Sequence, residues 1–378
     1  MVDFALSEPQ EMLRRTLREF MQREYPPTAV RAAETTERGY DLAIYQRLND
    51  LGVLGLGLPE EVGGAGGSWV DLAVFYEEAG RALLASPHLS SVVLGGGLLA
   101  RHGSAAQQQA WLADLARGAR VLAVGWPLEG GEAGPSGIEA RRDGDGYVLR
   151  GEVAHVAGYV GADGVLLVAE MADTGGRQGL FLAAPDTPGL TGTRQPLMSG
   201  EPLARLRLDD ARLDAAAAVG EALAPAALWG PLLDGAKVAL AAYALGAASA
   251  AVDMGVAYAK DRQQFGRPIG SFQAVQHRLA NLQILVEQAR LLTYHAAWLL
   301  DQGADARRAA AMAKLRASIA VREAATGNIL VHGGYGFMLE ADPQLYYRRA
   351  KLLELALGNP DAERALLARE HQPLVAAQ

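Results

Sequence analysis

The residues best suited to chemistry sit in two glycine-bearing segments. The first runs Asp261-Arg262-Gln263-Gln264-Phe265-Gly266-Arg267-Pro268-Ile269-Gly270-Ser271-Phe272-Gln273. Arg262 can grip a diphosphate through paired N–H donors, and Phe265 can cover a flat ring. Gln273 can read an adenine edge with its amide. The same residue types also suit an ordinary interhelical turn with charges left in solvent. The second segment, His332-Gly333-Gly334-Tyr335-Gly336, directly follows a long helical stretch. Its glycines can end that helix, or they can let backbone amides approach a pyrophosphate with no Cβ in the way. Two earlier clusters, Gly55-Leu56-Gly57 and Gly63-Gly64-Ala65-Gly66-Gly67, lack the GxGxxG spacing and the strand–helix setting of a dinucleotide fold, and they read as turned loops. No GxxxxGK[ST] sequence occurs, which argues against a P-loop ATPase.

Composition narrows the chemistry further. The chain of 378 residues contains no cysteine, so disulfides, thiolate metal sites, iron–sulfur clusters and a thiolate nucleophile are excluded together. With 35 Lys plus Arg against 43 Asp plus Glu, the net charge is −8, which argues against a sequence-independent grip on nucleic acid. The first ten residues carry Asp3 and Glu8 and no basic-then-apolar pattern, so no signal peptide is expected. The longest apolar run, Val238 to Val252, is diluted by Ala, Gly and Ser and falls short of the ~20 residues that span a bilayer. It reads as a buried helix. A cytoplasmic protein without nucleic-acid or membrane partners is the expectation.

The elements that must position these residues fall into three blocks. In the first, 1–118, Ser7 caps a helix with Gln10 at the capping-box position, and Leu13, Leu17, Phe20 and Met21 share its apolar face. Asp41 caps a second helix; 71–84, 94–101 and 105–116 read as further helices. The middle block, 119–222, reads as strands, with Asp143-Gly144-Asp145-Gly146 joining two of them as a hairpin. The last block, 223–378, holds helices at about 230–260, 273–302, 305–331 and 344–357, which suits a four-helix bundle. Leu245-Gly246-Ala247-Ala248 would let helices approach closely.

Taken in order, these segments resemble the acyl-CoA dehydrogenases, a flavoprotein family, over nearly the whole chain. Gly57 to Gly66 resembles the family's N-terminal loop and Gly144 to Gly151 its β-domain hairpin. Arg262-Gln263-Gln264-Phe265-Gly266 with Gln273 resembles its helix-joining motif, and His332 to Phe337 its C-terminal signature. The resemblance implies a mainly α fold with an N-terminal helical domain, a β-barrel-like middle domain and a C-terminal four-helix bundle. It further implies FAD at an intersubunit site, with Arg262, Phe265, Gln273, Gly333, Gly334 and Gly336 on its ADP half. The implied reaction is 2,3-dehydrogenation of an acyl-CoA thioester, with a glutamate taking the α-proton, the flavin taking the β-hydride, and electrons leaving to an electron-transfer flavoprotein or similar acceptor.

Departures from the family pattern fall in the catalytic half. Of the two positions where family members carry the base, one holds Leu357 and the other Ala236, neither of which accepts a proton. Asp234 and Glu354 lie close in sequence, but helical spacing turns them to other faces. The family's Thr-Glu-Pro-x-Ala-Gly-Ser-Asp block reads Gly125-Trp126-Pro127-Leu128-Glu129-Gly130-Gly131-Glu132, and its Trp-Ile-Thr segment reads His155-Val156-Ala157. Leu330 replaces a Gln before His332. Lys237 stands where an Arg often lies near the CoA, and a solvated bundle lysine reads equally well. The Tyr346-Tyr347-Arg348-Arg349-Ala350-Lys351 run resembles subunits of actinobacterial heterotetramers that act on bulky steroid side-chain or related acyl-CoA substrates. The expectation is the base-lacking subunit of a heteromer paired with a paralogue. A homomeric enzyme with a relocated base and a non-catalytic assembly protein are the alternatives.

Overall fold

The structure is a computed structural model that describes residues 5–127, 131–172 and 174–371. Six helices open the chain: α1 (Glu8–Glu24), α2 (Pro27–Glu34), α3 (Leu42–Arg47), α4 (Trp69–Arg81), α5 (Gly97–His102) and α6 (Ala105–Ala116). Eight strands follow: β1 (Leu122–Gly125), β2 (Ile138–Asp143), β3 (Gly146–Ala157), β4 (Gly164–Met171), β5 (Gln178–Ala183), β6 (Leu190–Gln195), β7 (Leu203–Leu213) and β8 (Ala218–Leu223). The remainder is α7 (Pro225–Trp229), α8 (Leu232–Asp261), the two-residue strands β9 (Gln263–Gln264) and β10 (Arg267–Pro268), α9 (Gln273–Asp301), α10 (Arg307–His332), α11 (Pro343–Leu355) and α12 (Pro360–His371). The expected succession of helices, a sheet domain and a helical bundle is present.

Local signals explain many of the boundaries. Ser7 accepts from the Gln10 amide while the Gln10 side chain answers to the Ser7 N–H, so the capping box forms in full. Asp41 accepts from the Ile44 N–H and starts α3. In the β2–β3 hairpin Asp143 pairs with Gly146, leaving a two-residue Gly144-Asp145 turn with Gly144 at φ 64°. Three elements absent from the sequence reading have physical reasons. β6 is an edge strand with only Leu190 buried, so it lacks the apolar alternation that marks a strand. α12 is initiated by Asn359, whose Oδ1 accepts from the Asp361 and Ala362 N–H groups ahead of a first-turn Pro360. The segment Leu89–Gly96, which overlaps the expected helix 94–101 only at its end, winds as a π-helix before α5 begins.

By compactness the chain forms two units, one from the chain up to Arg31 with Trp69–Leu84 and Lys237 onward, the other from Ala32–Ser68 with Ala85–Ala236. The helices before residue 119 are thus divided between the two. The strand-bearing unit has the sheet order β6-β7-β3-β2-β4-β5-β8, with β1 parallel to β4. Leu149, Val153, Val165, Leu167, Phe181 and Leu206 form its core.

The helical unit is built around α8. A Cβ on Gly246 would lie 1.8 Å from the Glu77 carbonyl oxygen, and one on Gly80 would lie 1.9 Å from that of Tyr243, so α4 and α8 cross with glycine on both sides. α8 is the one described helix long and apolar enough to cross a membrane, and 83% of that stretch is buried. A core helix passes the same test, and the glycine crossing shows why this one is apolar all round.

Candidate functional site

The Arg262 segment folds as a small projecting hairpin. β9 and β10 pair antiparallel, with Gln264 opposite Arg267. Phe265 and Gly266 form the turn at φ 55° and 78°, the two consecutive positive values of a type I′ turn. The Ile269 N–H donates to the Arg262 carbonyl at 2.8 Å and closes the base of the loop. A left-handed conformation is unfavourable for a Phe, and this one is 91% exposed, so no intramolecular packing of its outer face offsets it. Its edge meets Phe272 at 6.1 Å between ring centroids, and the Arg267 guanidinium covers the Phe272 ring at 4.1 Å. Among the described residues no side chain or carbonyl engages the Arg262 guanidinium, and Gln273 begins α9 with its side chain exposed.

The second segment meets this hairpin at its root. His332 ends α10, donates from Nδ1 to the Asn328 carbonyl at 2.9 Å, and stacks on Tyr258 at 4.0 Å. Tyr258 lies in the last turn of α8, and its carbonyl accepts from the Arg262 N–H. Burial lowers the imidazole pKa below its ordinary value, which favours the neutral ring. Beyond it Gly333 takes φ 63°, and a Cβ on either Gly333 or Gly334 would meet no protein atom within 4 Å. Their backbone therefore faces open space. Gly336 differs: it is buried, and a Cβ there would meet the His332 Cβ at 3.1 Å and the Ile329 carbonyl at 3.2 Å. Packing accounts for that glycine.

These features fit a diphosphate-linked adenylate. An open glycine pair with exposed amides can take phosphate oxygens, a free guanidinium can pair with them, and an outward aromatic with a nearby amide side chain can hold the adenine. Leu330, where the family carries a Gln, is 55% exposed and offers that site no polar atom.

The positions that would supply a base are, by contrast, buried. Leu357 is 0% exposed with φ 53°, and Ala236 is also 0% exposed. The Leu357-Gly358 backbone is clamped by Lys314 of α10, whose buried Nζ donates to the carbonyls of Gly358 (2.9 Å), Leu353 (3.1 Å) and Glu354 (3.4 Å) and to Ser318 Oγ (2.9 Å). Burial pushes the Lys314 pKa down to about 7, with Lys237 acting in the same direction and Glu363 and Glu354 opposing. Glu354 is no substitute base. Burial alone would raise its carboxyl, but hydrogen bonds from Lys351 (2.9 Å) and Arg322 (2.8 Å) outweigh that and hold it below the usual range. Asp234 lies half-buried in the first turn of α8.

The structure corrects the reading of Lys237. It is not a solvated bundle lysine, because it is 2% exposed and its Nζ lies 2.8 Å from the carboxylate of an equally buried Glu363 on α12. In this structure its partner is that carboxylate. Lys314 and Glu363 were missed by sequence reasoning. The available signal was a lysine on the alanine face of α10, among the buried Ala310, Ala313, Ala317 and Ala320.

In the strand-bearing unit His155 sits in a β-bulge of β3 at φ 59°, exposed, with its N–H donating to Gln195 Oε1 at 3.2 Å. Trp126 is buried against Trp229 at 4.7 Å, and neither indole N–H has a partner among the described residues. Leu128 to Gly130 of the same altered block lie outside the described residues.

Comparison with known proteins agrees with this geometry. The family profile for acyl-CoA dehydrogenase, N-terminal domain, matches residues 7–119, and that for acyl-CoA dehydrogenase, C-terminal domain, matches 226–371. A probable acyl-CoA dehydrogenase of Bacillus subtilis is 34% identical, with 98% of this chain and 99% of that protein covered. The human mitochondrial short-chain specific acyl-CoA dehydrogenase is 32% identical over 96% of this chain and 90% of its own. Among solved structures, the ChsE4–ChsE5 complex from Mycobacterium tuberculosis superposes with a TM-score of 0.88 at 33% identity, covering 98% of each chain. A Tcur3481–Tcur3483 steroid acyl-CoA dehydrogenase variant superposes with a TM-score of 0.86 at 34% identity, covering 98% of this chain and 99% of that one. The chain belongs to the acyl-CoA dehydrogenase family.

Proposed function

We propose that this chain is the base-lacking subunit of a heteromeric, FAD-dependent acyl-CoA dehydrogenase, and that it supplies the ADP half of a flavin site completed by a paralogous subunit. The observation that carries this reading is the contrast between an open adenylate-type cradle and two base positions occupied by the buried, apolar Leu357 and Ala236. FAD, when bound, supplies the hydride acceptor for α,β-dehydrogenation of an acyl-CoA. Removal of the thioester α-proton requires a carboxylate beside it, a contribution of roughly 10²–10⁴ in rate, and neither position in this chain carries one. Arg262, Phe265, Gln273 and the Gly333–Gly334 amides bind and orient the cofactor instead. The likeness to two-component assemblies, ChsE4–ChsE5 and the Tcur3481–Tcur3483 pair, supports a paralogous partner. A bulky acyl-CoA such as a steroid side chain, an electron-transfer flavoprotein as acceptor, and a cytoplasmic location complete the proposal.

The test is flavin stoichiometry. The chain purified alone is expected to carry substoichiometric FAD, whereas co-expression with a paralogue that has glutamate at either base position is expected to give about one FAD per heterodimer. Full flavin occupancy together with acyl-CoA oxidation by the chain alone would overturn the reading in favour of a homomeric enzyme. Failure of every co-expressed paralogue to restore flavin would favour an assembly protein.

A further inference from the structure

Away from the Arg262 hairpin, three helices of the helical unit converge arginines on one cavity of about 440 Å³. α1 contributes Arg14, Arg15 and Arg18, α4 contributes Arg81, and α9 contributes Arg290. Among the described residues, Glu11 and Glu77 are the acids that line it beside these five arginines. A second cavity of about 310 Å³ shares Arg18 and Arg81 and continues onto Tyr25, Pro26 and Tyr346, with Glu78 and Asp253 at its edge. The two cavities thus share two arginines, and the second adds Pro26 and the largely buried Tyr25 and Tyr346. Neither cavity is lined by any residue of the Arg262 hairpin or by Gly333 and Gly334.

The guanidinium groups are held in place from the protein side. Buried Glu78 accepts from Arg18 Nε and Nη2 at 2.9 and 2.6 Å. Buried Glu77 accepts from Arg290 and, at 2.8 Å, from the Tyr294 hydroxyl. Arg81 is tied to Ser249 Oγ at 2.9 Å and Asp253 at 2.7 Å. Each guanidinium has five N–H donors, so these bonds fix orientation and leave donors for a ligand. Arg14 pairs with Glu11, and no described residue pairs with Arg15. With Glu78 and Asp253 of the second cavity, and with Glu287 3.6 Å from Arg290, each of these arginines except Arg15 has a carboxylate partner among the described residues, so the uncompensated charge is that of Arg15. Such pre-oriented forks match the oxygens of phosphate, and their mutual repulsion falls when a dianion sits among them. The cavity volumes are in the range of small-molecule sites.

We propose that these joined cavities bind a phosphate monoester with an apolar or aromatic body, its phosphate among the arginines and its body over Tyr25, Pro26 and Tyr346. The site is distinct from the flavin motif and stands whether or not the heteromer reading does.

Isothermal titration of the full chain at constant ionic strength, with 1-naphthyl phosphate, inorganic phosphate and 1-naphthol as probes, tests the proposal. One saturable site for 1-naphthyl phosphate is expected, tighter than for either other probe. Arg15→Ala is expected to weaken it roughly tenfold and Arg15→Glu more, as loss of a charge-assisted contact implies. Arg15 is exposed and unpaired, so neither change strands a buried partner. Arg262→Ala is expected to leave the affinity unchanged. Co-sedimentation with vesicles carrying phosphatidic acid would assign the same chemistry to a lipid headgroup, and its absence beside naphthyl phosphate binding would assign a soluble ligand. No saturable binding, binding indifferent to Arg15→Glu, binding lost with Arg262→Ala, or inorganic phosphate binding as tightly as the naphthyl ester would each overturn the proposal.

Discussion

Two regions of the helical unit present the same ingredients, glycines, arginine or lysine donors and a helix end, and use them in opposite ways. At the Arg262 hairpin and Gly333–Gly334 the donors point outward and the backbone is uncovered. At the end of α11 the lysine points inward, and its donors are used up on the protein's own carbonyls around Leu357. Desolvation separates the two. A guanidinium in water retains its hydration until a ligand replaces it, whereas a buried ammonium must be satisfied by the fold itself. The first arrangement is suited to recognition and the second to rigidity.

The contrast can be broken experimentally, starting where the energy is largest. Lys237→Ala strands the buried Glu363 carboxylate and should destabilise the fold by roughly 3–5 kcal/mol in chemical denaturation. A substrate-binding lysine would instead change the affinity for acyl-CoA and leave the denaturation midpoint in place. A smaller effect is expected from Lys314 through pH. Its pKa falls from 10.5 in the unfolded chain to about 7 in the fold, so between those values the unfolded chain binds the extra proton and stability rises with pH. The slope should approach about 1.4 kcal/mol per pH unit near the middle of that window, and Lys314→Met should flatten it. A wild-type midpoint that does not rise from pH 7 to 9 would argue against this assignment.

On the exposed side the predictions concern ligand rather than fold. Arg262→Ala should weaken FAD retention in the complex by roughly 1.5–3 kcal/mol, with no change in melting temperature. Unchanged flavin content would refute the assignment of the ADP grip. Phe265→Gly should have a small effect on stability, opposite in sign to that of Lys237→Ala. Relief of the left-handed conformation at φ 55° should stabilise the free chain by roughly 1 kcal/mol while flavin retention falls. If flavin is held equally well after that change, the exposed ring has no cofactor role.

What the sequence disclosed and what it withheld follow from the range of the interactions involved. Ser7 with Gln10, Asp41 and the Asp143–Gly146 turn act within a few residues, so their structures were legible directly. The Arg262 and Gly333 segments were legible because a projecting loop and an open glycine pair depend little on distant contacts. The buried charges were not. Lys237 and Glu363 are 126 residues apart, and nothing local distinguishes a lysine that meets water from one that meets a carboxylate across a bundle. β6 escaped because an edge strand needs only one buried side chain. Leu357 and Ala236 are the converse case: two apolar residues are unremarkable in composition and informative only beside the family pattern.

The central claim, that this chain binds flavin without deprotonating substrate, is tested most directly by anaerobic titration with an acyl-CoA while the flavin's visible absorption is followed. The account predicts no bleaching for the chain loaded alone with FAD and rapid bleaching once the glutamate-bearing paralogue completes the site. Bleaching of FAD bound to this chain alone would contradict it.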